Sequence, residues 1–200
     1  MEKPAVTSAP VNEIIRRRWS PRAFAEKRVE PEVLRSLFEA ARWAPSSNNE
    51  QPWSYLVATK EDVTKFAKMV SILVEFNAAW AQHVPVLGLS VAHLKFRDGK
   101  PNRVALHDVG SASAQLTFEA NSRGLFVHQM AGFDAAKARQ VLAIPEDWEP
   151  VAALALGYPG DPQSLPEKLR ERELAPRSRK PLAEFVMTGS WGHTAPFVRD

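Results

Sequence analysis

Two uncharged apolar segments limit the possible folds of this chain most strongly: PVLGLSVA at residues 85–92 and VAALALGY at residues 151–158. Continuous apolar runs of this length are typical of strands buried inside a sheet. A third segment, WSYLVA at residues 53–58, is rich in aromatic and β-favouring residues, and residues 125–130 form a shorter extended segment. The chain therefore predicts a central sheet that other elements cover.

Helical periodicity occurs between these segments. It is clearest in residues 30–43, where Pro31 suits the first turn and the apolar positions 33, 34, 37, 38 and 41 fall on one stripe. Further helices are predicted at residues 61–69, 72–82, 104–123 and 134–143. Thr59 and Asp62 resemble a capping box, Gly124 and Asp134 suit helix ends, and the small residues 110–114 favour close packing against another helix. We expect a single three-layer α+β domain with a mixed central sheet.

The two ends of the chain differ from this body. Residues 1–11 are expected to form a flexible N-terminus. Prolines and charges dominate residues 159–200, which we interpret as an extended tail. Because the tail contains Phe185, Trp191 and Phe197, we expect it to wrap over a surface and to reach a second subunit.

Composition excludes several classes of protein. The chain has no cysteine, so it contains no disulfide and no thiolate metal site, and its five histidines show no paired ligand spacing. The net charge of +3 does not indicate nucleic-acid binding. The first 15 residues lack the apolar core of a signal peptide, and the longest apolar run is too short to cross a bilayer. We expect a cytoplasmic protein without a metal.

Several motifs of known chemistry are also missing. The sequence contains no GxGxxG, no GxxxxGK[ST] and no GxSxG. A dinucleotide fingerprint, a P-loop and a serine-hydrolase elbow are therefore excluded. What remains is one arginine-rich segment and one segment rich in amides and hydroxyls.

The arginine-rich segment is RRRWSPRAF at residues 16–24. Arg18, Ser20 and Arg22 alternate along an extended stretch, so their side chains can point the same way. Two guanidinium groups and a hydroxyl suit a phosphate dianion, because guanidinium donates bidentately and keeps its charge when desolvated. The alternative is a solvated basic helix end, which the arginines alone favour.

The second segment is APSSNNEQPW at residues 44–53. It presents five amide- or hydroxyl-bearing side chains on one turn: Ser46, Ser47, Asn48, Asn49 and Gln51. Such a loop offers both donors and acceptors, which matches the edge of a heterocycle better than a simple anion. A plain polar turn is the alternative.

Four ordered stretches together resemble the FMN-dependent nitroreductase family. They are RRWSPRAF, APSSNNEQPW, the central GLFVHQMAGFDAAKARQVLAIPEDWEPVAALALGYPG and the C-terminal PRSRKPLAEFV, and they extend from Asn12 to Phe185. The resemblance implies a nitroreductase-like α+β fold with a mostly antiparallel sheet flanked by helices. It also implies a homodimer with the flavin site at the interface and a C-terminal tail that extends onto the partner subunit.

The resemblance also implies the site residues. Arg18, Trp19 and Ser20 match the residues that line the FMN phosphate and ribityl chain, with Trp19 acting through its backbone, and Arg22 matches the one that reaches the pyrimidine side. Met130, Ala131 and Gly132 match the segment beside the flavin ring, where the N–H of Ala131 or Gly132 faces the nitrogen that accepts hydride. The remaining matches are a loop given by the other subunit (Pro45, Ser46, Ser47, Asn49) and tail residues that close on the phosphate (Arg177, Arg179).

The implied function is an oxidoreductase that takes hydride from NADH or NADPH onto FMN and then reduces a planar acceptor, such as a nitroaromatic or a quinone, in a ping-pong cycle. Two alternatives stay open: a specialised family member (reductive dehalogenation, heterocycle oxidation or flavin breakdown) and a flavin-binding protein without turnover. The connection at residues 94–104 is short where many family members carry a helical insert over the substrate. His128 is interpreted as a packed residue rather than a proton donor.

Overall fold

Four strands form one antiparallel sheet in the computed structural model, which describes residues 2–198. In chain order they are β1 (Trp53–Thr59), β2 (Val86–His93), β3 (Phe126–Met130) and β4 (Trp148–Gly157). The spatial order is β1-β2-β4-β3, and all three pairings are antiparallel where a mixed sheet was expected. The central strands β2 and β4 contain the two longest apolar segments, which agrees with their predicted burial.

Seven α-helices connect and cover the strands within residues 2–198. They are α1 (Glu13–Arg17), α2 (Pro31–Arg42), α3 (Val63–Ser71), α4 (Glu75–Ala81), α5 (Ala105–Ser122), α6 (Ala135–Leu142) and α7 (Glu167–Leu174). Four 3-10 turns occur at Ser47–Asn49, Pro162–Ser164, Leu182–Glu184 and Pro196–Val198. None of the helices in the described part of the chain combines the length and the hydrophobicity that a membrane span requires.

The sheet separates two hydrophobic cores. On β2, Leu87 and Leu89 face a core completed by α3, α4 and α6. Val86 and the β4 residues Leu154 and Leu156 face the opposite core, which α2 and α5 complete. Successive side chains of a strand point to opposite faces, so buried strands need apolar residues at every position. The three-layer α+β architecture predicted from the sequence is confirmed.

Two helices begin later than predicted. α3 begins at Val63, and its N-cap is Asp62, whose carboxylate accepts the backbone N–H of Lys65 at 3.1 Å. Thr59 is the last residue of β1, so it does not cap this helix. α4 begins at Glu75 rather than at residue 72, because Leu73 forms a β-bridge with Phe133 and is thereby held extended.

The predicted close packing of residues 110–114 against another helix holds at Ala112, which is buried in one core with Leu37 and Ala41 of α2, but it does not hold at Gly110. A Cβ atom built on Gly110 would meet nothing within 4 Å. Ser113, by contrast, is buried, and its hydroxyl lies 3.0 Å from the hydroxyl of Tyr55 on β1. The small residues of α5 therefore serve in part to fit the helix against the sheet. The helix ends just before Gly124, as predicted.

The tail is not extended throughout, because residues 167–174 form α7. Six of the eight residues in EKLREREL are charged, which conceals the helix from a search for apolar periodicity. Leu169 and Glu173 are nevertheless buried against the body. Farther on, Trp191 and Phe197 are 90% and 82% exposed, so these aromatics do not cover the chain's own surface. Contact with a second subunit stays a prediction.

The arginine-rich segment is attached to the start of the tail. Phe24 forms a β-bridge with Pro159, and Ala25 N donates to Tyr158 O at 2.9 Å. Gly160 N returns a bond to Ala23 O at 2.9 Å, and a Cβ atom on Gly160 would lie 2.5 Å from the carbonyl carbon of Phe24. Only glycine fits this approach, which brings the N-terminal arginines and the C-terminal tail together.

Candidate functional site

The two arginine-bearing segments meet at a cavity of about 300 Å³. Six of its eleven lining residues are cationic and none is acidic: Lys3, Arg18, Arg22, Arg172, Arg177 and Arg179, beside Trp19, Ser20, Ala175, Pro176 and Ser178. We call this the cationic cavity. It brings together Arg18, Ser20 and Arg22 with Arg177 and Arg179, which are about 160 residues away in sequence.

The extended conformation of residues 18–22 begins where α1 ends. Arg18 is the C-cap of α1, and its Nη1 lies 3.4 Å from the Ser20 hydroxyl. The indole of Trp19 is buried, and its ring packs edge-on against Phe126 with centroids 6.0 Å apart. Trp19 therefore anchors the segment in the core, and it is also one of the residues that line the cavity.

A buried carboxylate fixes the other end of this segment. Glu173 on α7 is 1% exposed. Its carboxylate accepts Arg22 N at 2.9 Å and Ala23 N at 3.0 Å, and Arg22 Nη1 lies 3.9 Å away. Because one anion binds two backbone N–H groups and faces a guanidinium, it is satisfied although it is buried. Glu173 thus holds Arg22 at the cavity wall.

Arg177 and Arg179 differ in the number of their bonds. Arg177 donates from Nη1 to Lys3 O at 2.5 Å and to Arg16 O at 3.0 Å, and from Nη2 to Arg18 O at 2.7 Å. Arg179 makes one bond, from Nη1 to Ser178 O at 2.7 Å. A guanidinium has five donors, so Arg177 is largely committed to the backbone, whereas Arg179 keeps most of its donors for a ligand.

The cations of the cavity disfavour one another's charge. Burial lowers the pKa of Arg18, and the neighbouring Arg177 and Arg179 lower it further. Burial likewise lowers the pKa of Arg177, with a contribution from Arg179. In Arg22, burial and Arg172 lower the pKa and Glu173 opposes them. A cavity in which positive charge is crowded and only partly balanced favours an anionic ligand.

Sequence reasoning missed two cations that line this cavity, Arg172 and Lys3, and the buried carboxylate of Glu173 that holds Arg22. Glu173 and Arg172 lie on α7, a helix that was not predicted. Lys3 lies in the N-terminus that was expected to be flexible, yet its Nζ donates to Glu173 O and to Ala175 O, each at 2.6 Å. No signal in the sequence could single out Glu173, because α7 contains three glutamates and only the placed helix shows which of them is buried.

The segment after β3 is tightly positioned. The carbonyl of Gly132 accepts Asn77 Nδ2 at 2.9 Å and Val74 N at 3.2 Å. A Cβ atom on Gly132 would collide with Asn77 Nδ2, so a larger residue here would displace the side chain that binds the Gly132 carbonyl. Met130 is buried and Ala131 is exposed. Among residues 2–198, no acceptor is found for the amide N–H of Ala131 or of Gly132, so both N–H groups can serve a ligand.

His128 links β3 to the arginine-rich segment. Its Nδ1 donates to Pro21 O at 2.8 Å, and its ring lies 4.8 Å from that of Trp80. Burial lowers the pKa of His128 to about 4, assisted by Arg22 and opposed by the bond to Pro21. The imidazole is therefore neutral at pH 7, and its contacts are those of a packed residue, as interpreted from the sequence.

The amide-rich loop does not reach the cationic cavity. Pro45, Ser46, Ser47 and Asn49 are absent from its lining. The loop is ordered nonetheless: Ser47 N donates to Asp108 Oδ2 and Gln51 N donates to Ser46 Oγ, both at 3.0 Å. Asn48, Asn49 and Gln51 have φ angles of 53°, 54° and 52°, which is the left-handed region. Strained residues persist only where their surroundings hold them, so the loop has a defined shape that this chain's own cavity does not use.

The fold is a three-layer α+β domain, and it contains a preformed cavity lined mainly by cationic side chains. Comparison with known sequences then gives the family. The profile described as "Nitroreductase family" matches residues 15–158, so the chain belongs to the nitroreductase family, and the resemblance stated from the sequence is confirmed.

Individual relatives agree with this assignment. A crystal structure described as an oxidoreductase containing FMN superposes with a TM-score of 0.89 at 33% identity, covering 94% of this chain and 96% of that chain. A candidate NADH dehydrogenase/NAD(P)H nitroreductase of Stenotrophomonas maltophilia is 24% identical over 80% of this chain and 90% of its own length. An uncharacterized 15.4 kDa protein of Mycolicibacterium smegmatis is 43% identical over 48% of this chain, and the match spans 65% of that relative, less than two thirds.

Proposed function

We propose that this protein is a homodimeric FMN-dependent NAD(P)H oxidoreductase. It takes hydride from NADH or NADPH and passes it to a small planar acceptor, such as a nitroaromatic or a quinone, in a ping-pong cycle. Membership of the nitroreductase family and an FMN-containing relative of the same fold support this class of reaction.

The observation that carries the proposal is the cationic cavity. Arg18 and Ser20 approach from the N-terminal segment and Arg179 from the tail, as the resemblance implies. The donors present fit a phosphate monoester, because Arg18 and Arg179 keep most of their N–H groups unbonded to protein. Arg22, which lines the cavity, has a buried donor, Nε, without a hydrogen-bond partner among residues 2–198. A buried orphan donor is costly, so a ligand that accepts from it is expected.

Each remaining residue has a defined role in the proposal. FMN, when bound, supplies the hydride chemistry. Arg22 would place a cation at the pyrimidine edge and stabilise negative charge there. The N–H groups of Ala131 and Gly132 would donate toward the ring, and Met130 fixes their segment by its burial. No acidic or basic side chain is needed beside them, because backbone N–H groups donate at any pH.

The amide-rich loop is the reason why the proposed enzyme is a homodimer. Pro45, Ser46, Ser47 and Asn49 would contact the flavin of the partner subunit, which accounts for an ordered loop lying outside its own chain's cavity. The acceptor would approach an open face, because residues 95–101 form only a short bridged turn (Lys95 with Pro101) in place of a covering helix.

The test begins with the purified protein. We expect it to be yellow, to contain about one FMN per chain and to oxidise NADH or NADPH rapidly only when an acceptor such as a quinone is present. Initial rates measured against both substrates should give parallel double-reciprocal lines, the mark of a ping-pong cycle. A colourless protein that cannot be reconstituted with FMN would refute the proposal.

The same assay separates the alternatives. If dithionite bleaches the bound flavin and neither nicotinamide does, the protein is a specialised family member or a flavin carrier, and the NAD(P)H part of the proposal is wrong. An acceptor panel of nitroaromatics, quinones, halogenated aromatics and free reduced flavin then distinguishes turnover from carriage.

A further inference from the structure

The N-terminal residues 2–5, here called the N-terminal strap, are attached beside the cationic cavity. Ala5 N donates to Arg16 O at 2.8 Å, and Arg177 Nη1 donates to Lys3 O at 2.5 Å. Glu2 pairs with Arg17 at 3.2 Å on the exposed side. The strap therefore lies between the end of α1 and the tail, the two elements that provide the cavity's arginines.

The side chain of Lys3 extends from the strap to the end of α7. Its Nζ donates to Glu173 O and Ala175 O, each at 2.6 Å, and lies 4.9 Å from the centre of the Trp19 ring. Trp19 belongs to the segment that carries Arg18 and Ser20. The Lys3 ammonium thus contacts both the end of α7 and the segment that carries Arg18 and Ser20.

The two carbonyls that Lys3 binds have an electrostatic importance. They are among the last carbonyls of α7, which lack partners within the helix and carry its partial negative charge. Ala175 itself lines the cavity. Without a cation, the negative end of α7 would face the place where we expect a phosphate. Lys3 neutralises this end.

Lys3 also keeps a donor for the ligand. An ammonium group has three N–H donors, and the two carbonyls use two of them. Lys3 is one of the residues that line the cavity, so its charge acts directly on the contents. Burial lowers the pKa of Lys3, Glu173 raises it, and Arg177 and Arg22 lower it, which indicates that the site is crowded with cations.

We propose that Lys3 is a phosphate-binding residue of this protein: its ammonium neutralises the carboxyl end of α7, donates its third N–H to the FMN phosphate, and closes the N-terminal strap over that end of the cofactor. This inference rests on the proposed function, because it takes FMN as the ligand. It assigns a binding role to residues that precede the stretch matched by the family profile, which begins at residue 15.

The test compares two flavins that differ only in the phosphate. Apoprotein is titrated with FMN and with riboflavin, and the dissociation constants are measured by quenching of flavin fluorescence, with any N-terminal tag removed. The Lys3→Met variant keeps the length of the side chain over Trp19 and removes its charge. The matched control is Lys27→Met, because Lys27 lies 3.9 Å from the centre of the Tyr158 ring and does not line the cavity.

We expect Lys3→Met to weaken FMN binding about tenfold or more, as for a lost hydrogen bond to a charged group, and to leave riboflavin binding within about twofold. The ³¹P resonance of bound FMN should also shift between the wild-type protein and the variant, and Lys27→Met should change neither value. An equal loss for both flavins would overturn the inference, because it would mean that Lys3 supports only the fold. Unchanged FMN binding would overturn it while leaving the proposed function intact, whereas a wild-type protein that binds neither flavin would overturn both.

Discussion

The cationic cavity and the amide-rich loop were both predicted to touch one cofactor, but they differ in how the structure treats them. The cavity joins residues 3–22 to residues 172–179 within one chain. The loop is held by Asp108 on α5, and no residue of the loop lines the cavity. Both regions are preorganised, and only the cavity is assembled from distant parts of the same chain.

If FMN is the ligand, as proposed, the two regions would bind different parts of it. A single chain can build the phosphate end, because arginines at fixed backbone positions need only a wall. Recognition of a heterocycle edge needs donors and acceptors on a second surface, and here the second surface is turned elsewhere. Asn48 and Asn49 adopt the left-handed region at little cost, whereas Gln51 is held there by its surroundings, so the loop keeps the shape that the proposed contact with a partner subunit would use.

The largest expected effect comes from the carboxylate that holds the cavity. Glu173→Ala would leave two buried backbone N–H groups and the Arg22 guanidinium without their acceptor, so we expect the free energy of unfolding to fall by about 3–5 kcal/mol. Urea denaturation measures it. The exposed Glu171→Gln on the same helix is the control and should change stability by less than about 0.5 kcal/mol. Equal small losses in both variants would mean that Glu173 does not organise the cavity.

Lowering the pH should destabilise the folded protein through His128. Its pKa is about 4 in the folded protein against an ordinary value of 6.5, so between these values the unfolded chain binds the proton more tightly. The free energy of unfolding should therefore fall by about 2 kcal/mol from pH 7 to pH 5. His128→Gln should remove most of this dependence, whereas His83→Gln, at an exposed histidine, should keep it. A pH dependence that persists in His128→Gln would place its origin elsewhere.

The arginines of the cavity should separate into two kinds. Arg18→Ala and Arg179→Ala should each weaken FMN binding by about 1.5–3 kcal/mol and leave the unfolding free energy nearly unchanged. Arg177→Ala should lower both quantities, because its guanidinium donates to three backbone carbonyls. Arg123→Ala, an exposed arginine paired with Glu119, controls for the loss of positive charge. Titration with FMN and urea denaturation give the two values, and tight FMN retention by both Arg18→Ala and Arg179→Ala would refute the phosphate assignment.

Much of the fold followed from local patterns. The central strands were predicted because burial on both faces requires apolar residues at every position, and α2 was predicted because its stripe is clear. Thr59 does not cap α3 because it is the last residue of β1. A local sequence motif cannot show that a residue belongs to a neighbouring strand. The helix α7 was missed because its stability comes from two buried contacts, Leu169 and Glu173, rather than from an apolar stripe.

The site divides in the same way. Arg18, Ser20 and Arg22 were predicted because their residue types suit phosphate, and Arg177 and Arg179 were predicted from the family resemblance; all five line the cavity. Lys3 was missed because it acts through carbonyls 170 and 172 positions away, and nothing in the first residues of the sequence reports that contact. Long-range pairing of backbone groups leaves no composition signal, so such residues become visible only when the fold is known.

The smallest expected effect is in mixed dimers, which test whether the amide-rich loop contacts the FMN of a second chain. Arg18→Ala damages the cavity and Asn49→Ala damages the loop, and each variant alone should hold FMN weakly. If the site combines the cavity of one chain with the loop of its partner, a mixed dimer of the two variants has one intact site, so an equal, refolded mixture should regain tight binding at about a quarter of its sites. The control is the double variant Arg18→Ala/Asn49→Ala refolded with wild-type chains. Its mixed dimers contain no intact site, so chain exchange lowers tight FMN binding there instead of restoring it. If cavity and loop act within one chain, the mixture of single variants regains nothing, and the loop's strained backbone then needs another explanation.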